Sequence, residues 1–72
     1  MGKIRDIMVE ECKKGSIHLD TLLSDTRTLK VVNIRHLAMW RARTELNETY
    51  LKLGRVFKRD HTSVISGVRR VE

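Results

Sequence analysis

The chain has 72 residues, of which 15 are Lys or Arg and 9 are Asp or Glu, giving a formal net charge of +6. A chain this short folds as one small domain that buries only about 60% of the surface exposed on unfolding, so residues 1–72 predict a single domain without a deep substrate cavity. The one cysteine, Cys12, cannot form an intramolecular disulfide, which favours a reducing, cytoplasmic location. No apolar run approaches the roughly 20 residues that span a bilayer, so no membrane contact is expected.

Five helical segments are predicted in chain order. Residues 3–14 repeat apolar side chains at helical spacing, and Gly15 is expected to end this first helix. A short second helix is predicted around residues 19–23, followed by a polar connection. The longest segment runs from Leu29 to about Leu46, with Thr28 as its N-cap and either Ile34 or Arg35 on its buried stripe.

Two shorter helices complete the predicted chain. Thr49 is expected to cap a helix that includes Gly54, and Asp60 to cap the last one. Only a few residues around Lys58 and Arg59 join them. A short helix, a tight turn and a helix that opens with small polar residues are typical of a helix-turn-helix. The sequence therefore predicts an all-α bundle of about five helices with a C-terminal helix-turn-helix.

The basic residues are concentrated after residue 26. Residues 1–26 carry four basic and five acidic side chains, whereas residues 27–72 carry eleven basic and four acidic ones, a net charge of +7. Such an excess attracts a polyanion, most simply nucleic acid. A solvated surface rich in Lys and Arg has the same composition, so charge alone leaves both interpretations open.

Residues 59–64 read RDHTSV and contain the residue types of a hydrolytic triad. A triad brings its members together from separated points of a fold, whereas adjacent side chains on one helical turn point apart. The three histidines and the cysteine lack metal-ligand spacing, and no phosphate-binding G-x-x-x-x-G-K-[ST] motif is present. The sequence therefore predicts no enzyme, no catalytic residue, no metal, no cofactor and no bound nucleotide.

The same RDHTSV residues suit the opening turn of a helix that enters a major groove. In that position Asp60 can accept a hydrogen bond from cytosine, His61 can bond to a base edge, and Thr62 offers a hydroxyl and a methyl group. The alternative is that Asp60 only caps the helix while Thr62 and Ser63 fill its first turn. The residues alone do not separate these two interpretations.

The motif and its surroundings resemble a known family. The stretches LLSDTRTLKVVNIRHLAMWRAR and LKLGRVFKRDHTSV are similar to the C-terminal DNA-binding domain of the bacterial replication initiator DnaA. The matching positions, in order, are Leu22 to Ser24, Arg35 to Met39, Leu53 and Gly54, and Arg59 to Val64. The resemblance implies a helical fold related to that of the Trp repressor and binding to short, asymmetric DnaA boxes in double-stranded DNA.

The resemblance also implies roles for individual residues. Arg27 matches an arginine that enters the minor groove, and four residues match the base-reading turn of the recognition helix: Asp60, His61, Thr62 and Ser63. Phosphate contacts are predicted for six basic side chains, partly from the resemblance and partly from their positions: Lys30, Arg35, His36, Arg43, Lys58 and Arg59. One domain per asymmetric box favours a monomer on DNA, although the Trp-repressor relationship leaves a dimer open.

Two departures from the family pattern concern the predicted DNA-binding surface. Lys58 stands where the family has two glycines, which shortens the turn by one residue and is expected to change the angle of the recognition helix. Asp25 and Thr26 occupy loop positions that are usually basic. The leading hypothesis is a stand-alone regulator of transcription or replication in a bacterium or phage. The alternatives are the DNA-binding part of a full-length initiator and a helical protein–protein interaction module.

Overall fold

The computed structural model describes residues 3–72, and within them the backbone forms five α-helices. They are α1 (Lys3–Gly15), α2 (Leu19–Leu22), α3 (Leu29–Glu45), α4 (Tyr50–Phe57) and α5 (His61–Val71). The predicted all-α fold is confirmed, and α4 and α5 form the predicted helix-turn-helix. The principal dimensions are 26 × 24 × 21 Å.

The long helix α3 is the centre of the molecule and packs against each of the other four helices. The most deeply buried large side chains come from α2, α3, α4 and α5: Phe57, Leu22, Met39, Leu53, Val64 and Val68. Burying a side chain of this size contributes about 1.5–3 kcal/mol, so these few residues supply much of the stability of so small a domain. The helix-turn-helix therefore shares one core with α3.

An ionic cluster joins α1 to α3. The guanidinium of Arg41 donates to Glu11 at 2.8 Å, to Glu10 at 3.1 Å and to Glu45 at 2.8 Å. Hydrogen bonds to these carboxylates raise the pKa of Arg41, and the bond to Glu45 has the largest effect. Glu11 is buried, so its pairing with Arg41 removes the cost of an isolated buried charge. One acidic residue of the N-terminal segment, Glu11, is thus paired inside the fold, while most basic residues of the later segment stay at the surface.

The structure confirms two of the three predicted helix caps as side-chain caps. The Thr49 hydroxyl accepts from the backbone N–H of Lys52 at 3.2 Å, and the Asp60 carboxylate accepts from that of Thr62 at 3.4 Å. Thr28 occupies the N-cap position of α3, but its side chain makes no capping hydrogen bond. The predicted boundary at Thr28 is correct, but the Thr28 hydroxyl accepts no hydrogen bond from the first turn of α3.

The first helix continues one residue beyond its predicted end. Gly15 is still helical, and Ser16 takes the left-handed conformation with φ 57°. The N–H of Ile17 then bonds to the carbonyl of Cys12 at 3.0 Å, the pattern of a Schellman ending. Gly15 instead lets the side chain of Ile34 pack closely against α1, because a β-carbon at position 15 would overlap that side chain.

The turn between α4 and α5 depends on Lys58. This residue adopts a left-handed conformation, with φ 57° and ψ 43°. The N–H of Arg59 bonds to the carbonyl of Gly54 at 2.8 Å, which closes the end of α4. A β-carbon on Gly54 would lie 2.7 Å from the carbonyl oxygen of Arg59, so the glycine lets the turn fold back against its own helix.

Replacing Lys58 by Gly is expected to stabilise the protein. The left-handed conformation costs a residue with a side chain about 1–2 kcal/mol, and the greater flexibility of an unfolded glycine offsets roughly half of this. We expect a net gain of about 0.5–1 kcal/mol, seen as a rise in Tm of about 3–6 °C by circular dichroism. Lys58→Ala is the matched control, since it removes the same charge but keeps the β-carbon. If Lys58→Gly and Lys58→Ala have equal Tm values, the left-handed conformation does not strain a residue with a β-carbon at position 58.

Candidate nucleic-acid interface

The first turn of α5 presents a row of exposed polar side chains. Asp60, His61, Thr62 and Ser63 are all exposed to solvent. The Asp60 carboxylate caps the helix and also lies 3.1 Å from Nδ1 of His61. The positive dipole end of α5 lies at this turn, where the carboxylate and the carbonyl of Asp60 accept from the backbone N–H groups of Thr62, Ser63 and Val64. Capping leaves the outer face of the turn open for contact.

The loop between α2 and α3 lies beside this turn. It carries Arg27, which is exposed. A surface cleft brings Arg27 together with residues of α3 and α5; its lining comprises Arg27, Val32, His36, Thr62, Ser63, Ser66 and Arg70. The fold therefore places the predicted minor-groove arginine next to two of the predicted base-reading residues, although more than thirty positions separate them in sequence.

Arg35 is directed into the protein. Arg35 is only 6% exposed, and its Nε donates to the carbonyl of Leu22 at 2.9 Å. Its Nη2 donates to the carbonyls of Ser24 and Thr26 at 3.0 and 3.2 Å. The Leu22 carbonyl ends α2 and lacks a helical partner, so Arg35 satisfies it. Burial, and next the charge of Arg59, lowers the pKa of Arg35. Its phosphate contact stays a prediction, and the structure adds a role in holding the loop.

Arg59 holds the same loop from the other side. Its side chain is 19% exposed, and its Nη1 lies 3.3 Å from Oδ1 of Asp25. Its Nη2 donates to the carbonyl of Ser24, which Arg35 also contacts. Two arginines from different elements thus converge on one loop carbonyl. The phosphate contact of Arg59 likewise stays a prediction, while its guanidinium is hydrogen-bonded to the loop.

His36 also lines the cleft. Its ring packs against α5 at Gly67, where a β-carbon would approach the ring to 2.7 Å. Burial lowers the pKa of His36, and the charges of Arg70 and Arg35 add to this effect. The neutral ring is therefore favoured near neutral pH. In that form His36 can offer a phosphate a hydrogen bond but no positive charge.

The other predicted phosphate contacts differ in their surroundings. Lys30 and Lys58 are exposed and extend from the start of α3 and from the turn before α5. Arg43 donates to the carbonyl of Glu48 at 2.8 Å, and its guanidinium lies 4.7 Å from the centre of the Tyr50 ring. Arg43 therefore bridges the connection between α3 and α4, and a phosphate contact for it remains a prediction.

One basic residue of the cleft was not predicted as a contact. Arg70 is exposed near the end of α5 and lines the cleft with Arg27. Thr62, Ser66 and Arg70 follow one another at intervals of four residues, which places them along one face of the helix. This spacing is visible in the sequence and would have linked Arg70 to the base-reading turn.

No group of three His, Cys, Asp or Glu side chains within residues 3–72 is arranged to hold a metal ion. No helix among these residues is long and apolar enough to cross a membrane.

Comparison with known proteins identifies this arrangement of helices. The family described as "Bacterial dnaA protein helix-turn-helix" matches residues 4–71. The chain belongs to this DnaA helix-turn-helix family. The match extends from the beginning of α1 to the end of α5, so it covers both the loop that carries Arg27 and the turn at Lys58.

Several similar proteins carry the name chromosomal replication initiator protein DnaA. Those of Rhodopseudomonas palustris and Nitrobacter hamburgensis are 38% identical over 71 residues, or 97% of this chain and 15% of their own length. That of Mycoplasma genitalium is 32% identical over 60 residues, 83% of this chain and 14% of its own. The chain thus spans about one seventh of these DnaA relatives.

The turn at Lys58 in this DnaA-family domain has the backbone conformation for which glycine is best suited. A glycine can take a positive φ without penalty, and here Lys58 takes it instead. The turn thus has a left-handed residue and a Schellman ending without a glycine at position 58.

Proposed function

We propose that the chain binds double-stranded DNA in a sequence-specific manner. The N-terminal turn of α5 enters the major groove, and Arg27 enters the adjacent minor groove. One observation carries this proposal: the exposed turn and the loop arginine form a single surface, with Arg27, Thr62 and Ser63 lining the same cleft. Membership of the DnaA helix-turn-helix family supports it.

The residues of this surface divide into two groups by chemistry. His61 and Thr62 are exposed at the helix tip and can form hydrogen bonds to base edges. Arg27 carries a positive charge suited to the negative potential of a narrow, A·T-rich minor groove. The exposed cations Lys30 and Lys58 are proposed to contact phosphates. Phosphate contacts orient the domain, and the first group selects the sequence.

Binding to matched and scrambled duplexes tests the proposal. Fluorescence anisotropy is measured with a DnaA-box duplex and a scrambled duplex of equal length at several salt concentrations. We expect the box to bind at least about 100-fold more tightly, since each mismatched base pair typically costs about 1–3 kcal/mol. Both affinities should fall with salt, with a logarithmic slope of about −0.9 per neutralised phosphate. Equal affinities at every salt concentration would rule out sequence-specific recognition.

Two settings are compatible with this binding activity. In one, the domain delivers a longer initiator to DNA, which fits relatives about seven times the length of this chain. In the other, it acts alone as a cytoplasmic, nucleoid-associated regulator of transcription or replication, binding as a monomer. The activity is binding without catalysis, nucleotide or cofactor in both. The length of the reading frame separates the settings, and gel filtration with and without the box duplex establishes the stoichiometry.

A further inference from the structure

The loop that carries Arg27 is tied to two separate parts of the fold. Arg35 connects it to α3 through three backbone carbonyls. Arg59, which lies between α4 and α5, connects it to the helix-turn-helix through the Ser24 carbonyl and the Asp25 carboxylate. Arg59 therefore joins the loop directly to the segment that opens α5, two residues before His61.

We propose that Arg59 is a positioning residue that sets Arg27 at a defined distance from the base-reading turn of α5. This inference rests on the proposed function. The clamp couples recognition in the minor groove to recognition in the major groove, so that the two elements dock as one rigid unit. Arg59 acts on specificity through Arg27, without itself touching a base.

Ser24 is the point at which the loop is held. Its carbonyl accepts from both arginines, and its hydroxyl donates to the carbonyl of Thr21 at 2.6 Å. The same hydroxyl accepts from the backbone N–H of Thr26 at 3.2 Å. Arg27 follows directly, so fixing the backbone of residues 24–26 fixes the point from which its side chain extends. Because the loop is already ordered in the free protein, it loses little conformational entropy when it binds DNA.

The geometry of Arg59 suits a clamp better than a phosphate contact. Its side chain is only 19% exposed, and both of its terminal nitrogens face loop oxygens. A guanidinium can donate in two directions from one plane, which an ammonium on a flexible stem cannot reproduce. Lysine should therefore retain the charge of Arg59 while failing to hold Ser24 and Asp25 together. This difference separates a clamp from a simple cationic contact.

A double-mutant cycle in the whole chain tests the proposal. Arg27→Ala, Arg59→Lys and the double variant are measured on the box, on a box altered at its minor-groove A·T pairs, and on a box altered at its major-groove positions. We expect each single variant to lose about tenfold of the discrimination at the A·T pairs and to keep the discrimination at the major-groove positions. The double variant should lose no more than either single variant, because both changes remove the same contact.

Arg55→Ala is the matched control. Arg55 is an exposed arginine one turn earlier, at the end of α4, and its removal deletes one positive charge without touching the loop. Arg55→Ala should weaken binding to all duplexes by the same factor. In a double variant with Arg27→Ala, the two losses of affinity should multiply. If Arg59→Lys instead binds like the parent protein, or if its loss multiplies with that of Arg27→Ala, the positioning role is wrong.

Amide hydrogen exchange of the free protein tests the clamp without DNA. Arg59→Lys should accelerate exchange in residues 24–28, whereas Arg55→Ala should leave it unchanged. Unchanged exchange in Arg59→Lys would overturn the clamp by itself. If exchange accelerates but the parent protein does not discriminate between duplexes, the proposed function fails. The clamp would then stand as a structural contact, without the recognition role inferred for it.

Discussion

Replacing Arg35 by Met is expected to lower the free energy of unfolding by about 3 kcal/mol, the largest effect on stability anticipated for any basic residue of the interface. Hydrogen bonds to charged groups contribute about 1.5–3 kcal/mol, and Arg35 donates three to carbonyls of α2 and the following loop. Met fills much of the same volume but cannot donate, so the carbonyl at the end of α2 loses its partner. Urea denaturation followed by circular dichroism measures the change.

Lys30→Met is the control for Arg35→Met. Lys30 lies in the first turn of the same helix and is exposed, so its replacement should change stability by no more than about 0.5 kcal/mol. Arg35→Met should also reduce discrimination at the minor-groove A·T pairs, because the loop that carries Arg27 loses one of its two attachments. Unchanged stability together with a salt slope reduced by about one would show instead that Arg35 contacts a phosphate.

His61→Ala is expected to weaken binding to the preferred box by about 1–3 kcal/mol and to leave binding to a scrambled duplex nearly unchanged. His61 is exposed at the tip of α5, so the loss is that of a base contact. The fold should not suffer, because the cap between Asp60 and the N–H of Thr62 does not involve the imidazole. Anisotropy titrations of both duplexes and a thermal melt measure the two effects separately.

His18→Ala is the matched control for this prediction. His18 is an exposed histidine that precedes α2, and its side chain makes no capping hydrogen bond. Its removal should affect neither duplex. If His61→Ala weakens the box and the scrambled duplex equally, then His61 contributes to general affinity and the base-reading role assigned to α5 must move to other residues of the turn.

The helices could be predicted from sequence because their determinants are local. Apolar residues at intervals of three and four identify each buried face, and Thr49 and Asp60 cap the helices that follow them, as predicted. Boundaries were less certain where packing decides them. Gly15 was expected to stop α1 as the residue after it but is its last helical residue, because the neighbouring Ser16 takes the left-handed conformation, while the missing side chain of Gly15 makes room for Ile34.

The sequence did not decide the direction of Arg35. The periodicity of α3 left either Ile34 or Arg35 on the buried stripe, and the resemblance assigned Arg35 to a phosphate. In the structure Arg35 is buried and Ile34 partly so. The reason lies outside α3, since carbonyls of α2 and the loop require donors and Arg35 is within reach of them.

The sequence by itself determined the all-α class, the helix-turn-helix, the family, and the identity of the exposed turn that opens α5. These follow from patterns within a few residues of one another. Tertiary structure alone decided that the loop carrying Arg27 lies against that turn, and that Arg35 and Arg59 hold it there. The contact between Arg59 and Ser24 joins positions 35 apart. A hydrogen bond between residues so far apart forms only when folding brings the donor and the acceptor together. The local spacing of residues in the sequence therefore cannot predict this contact.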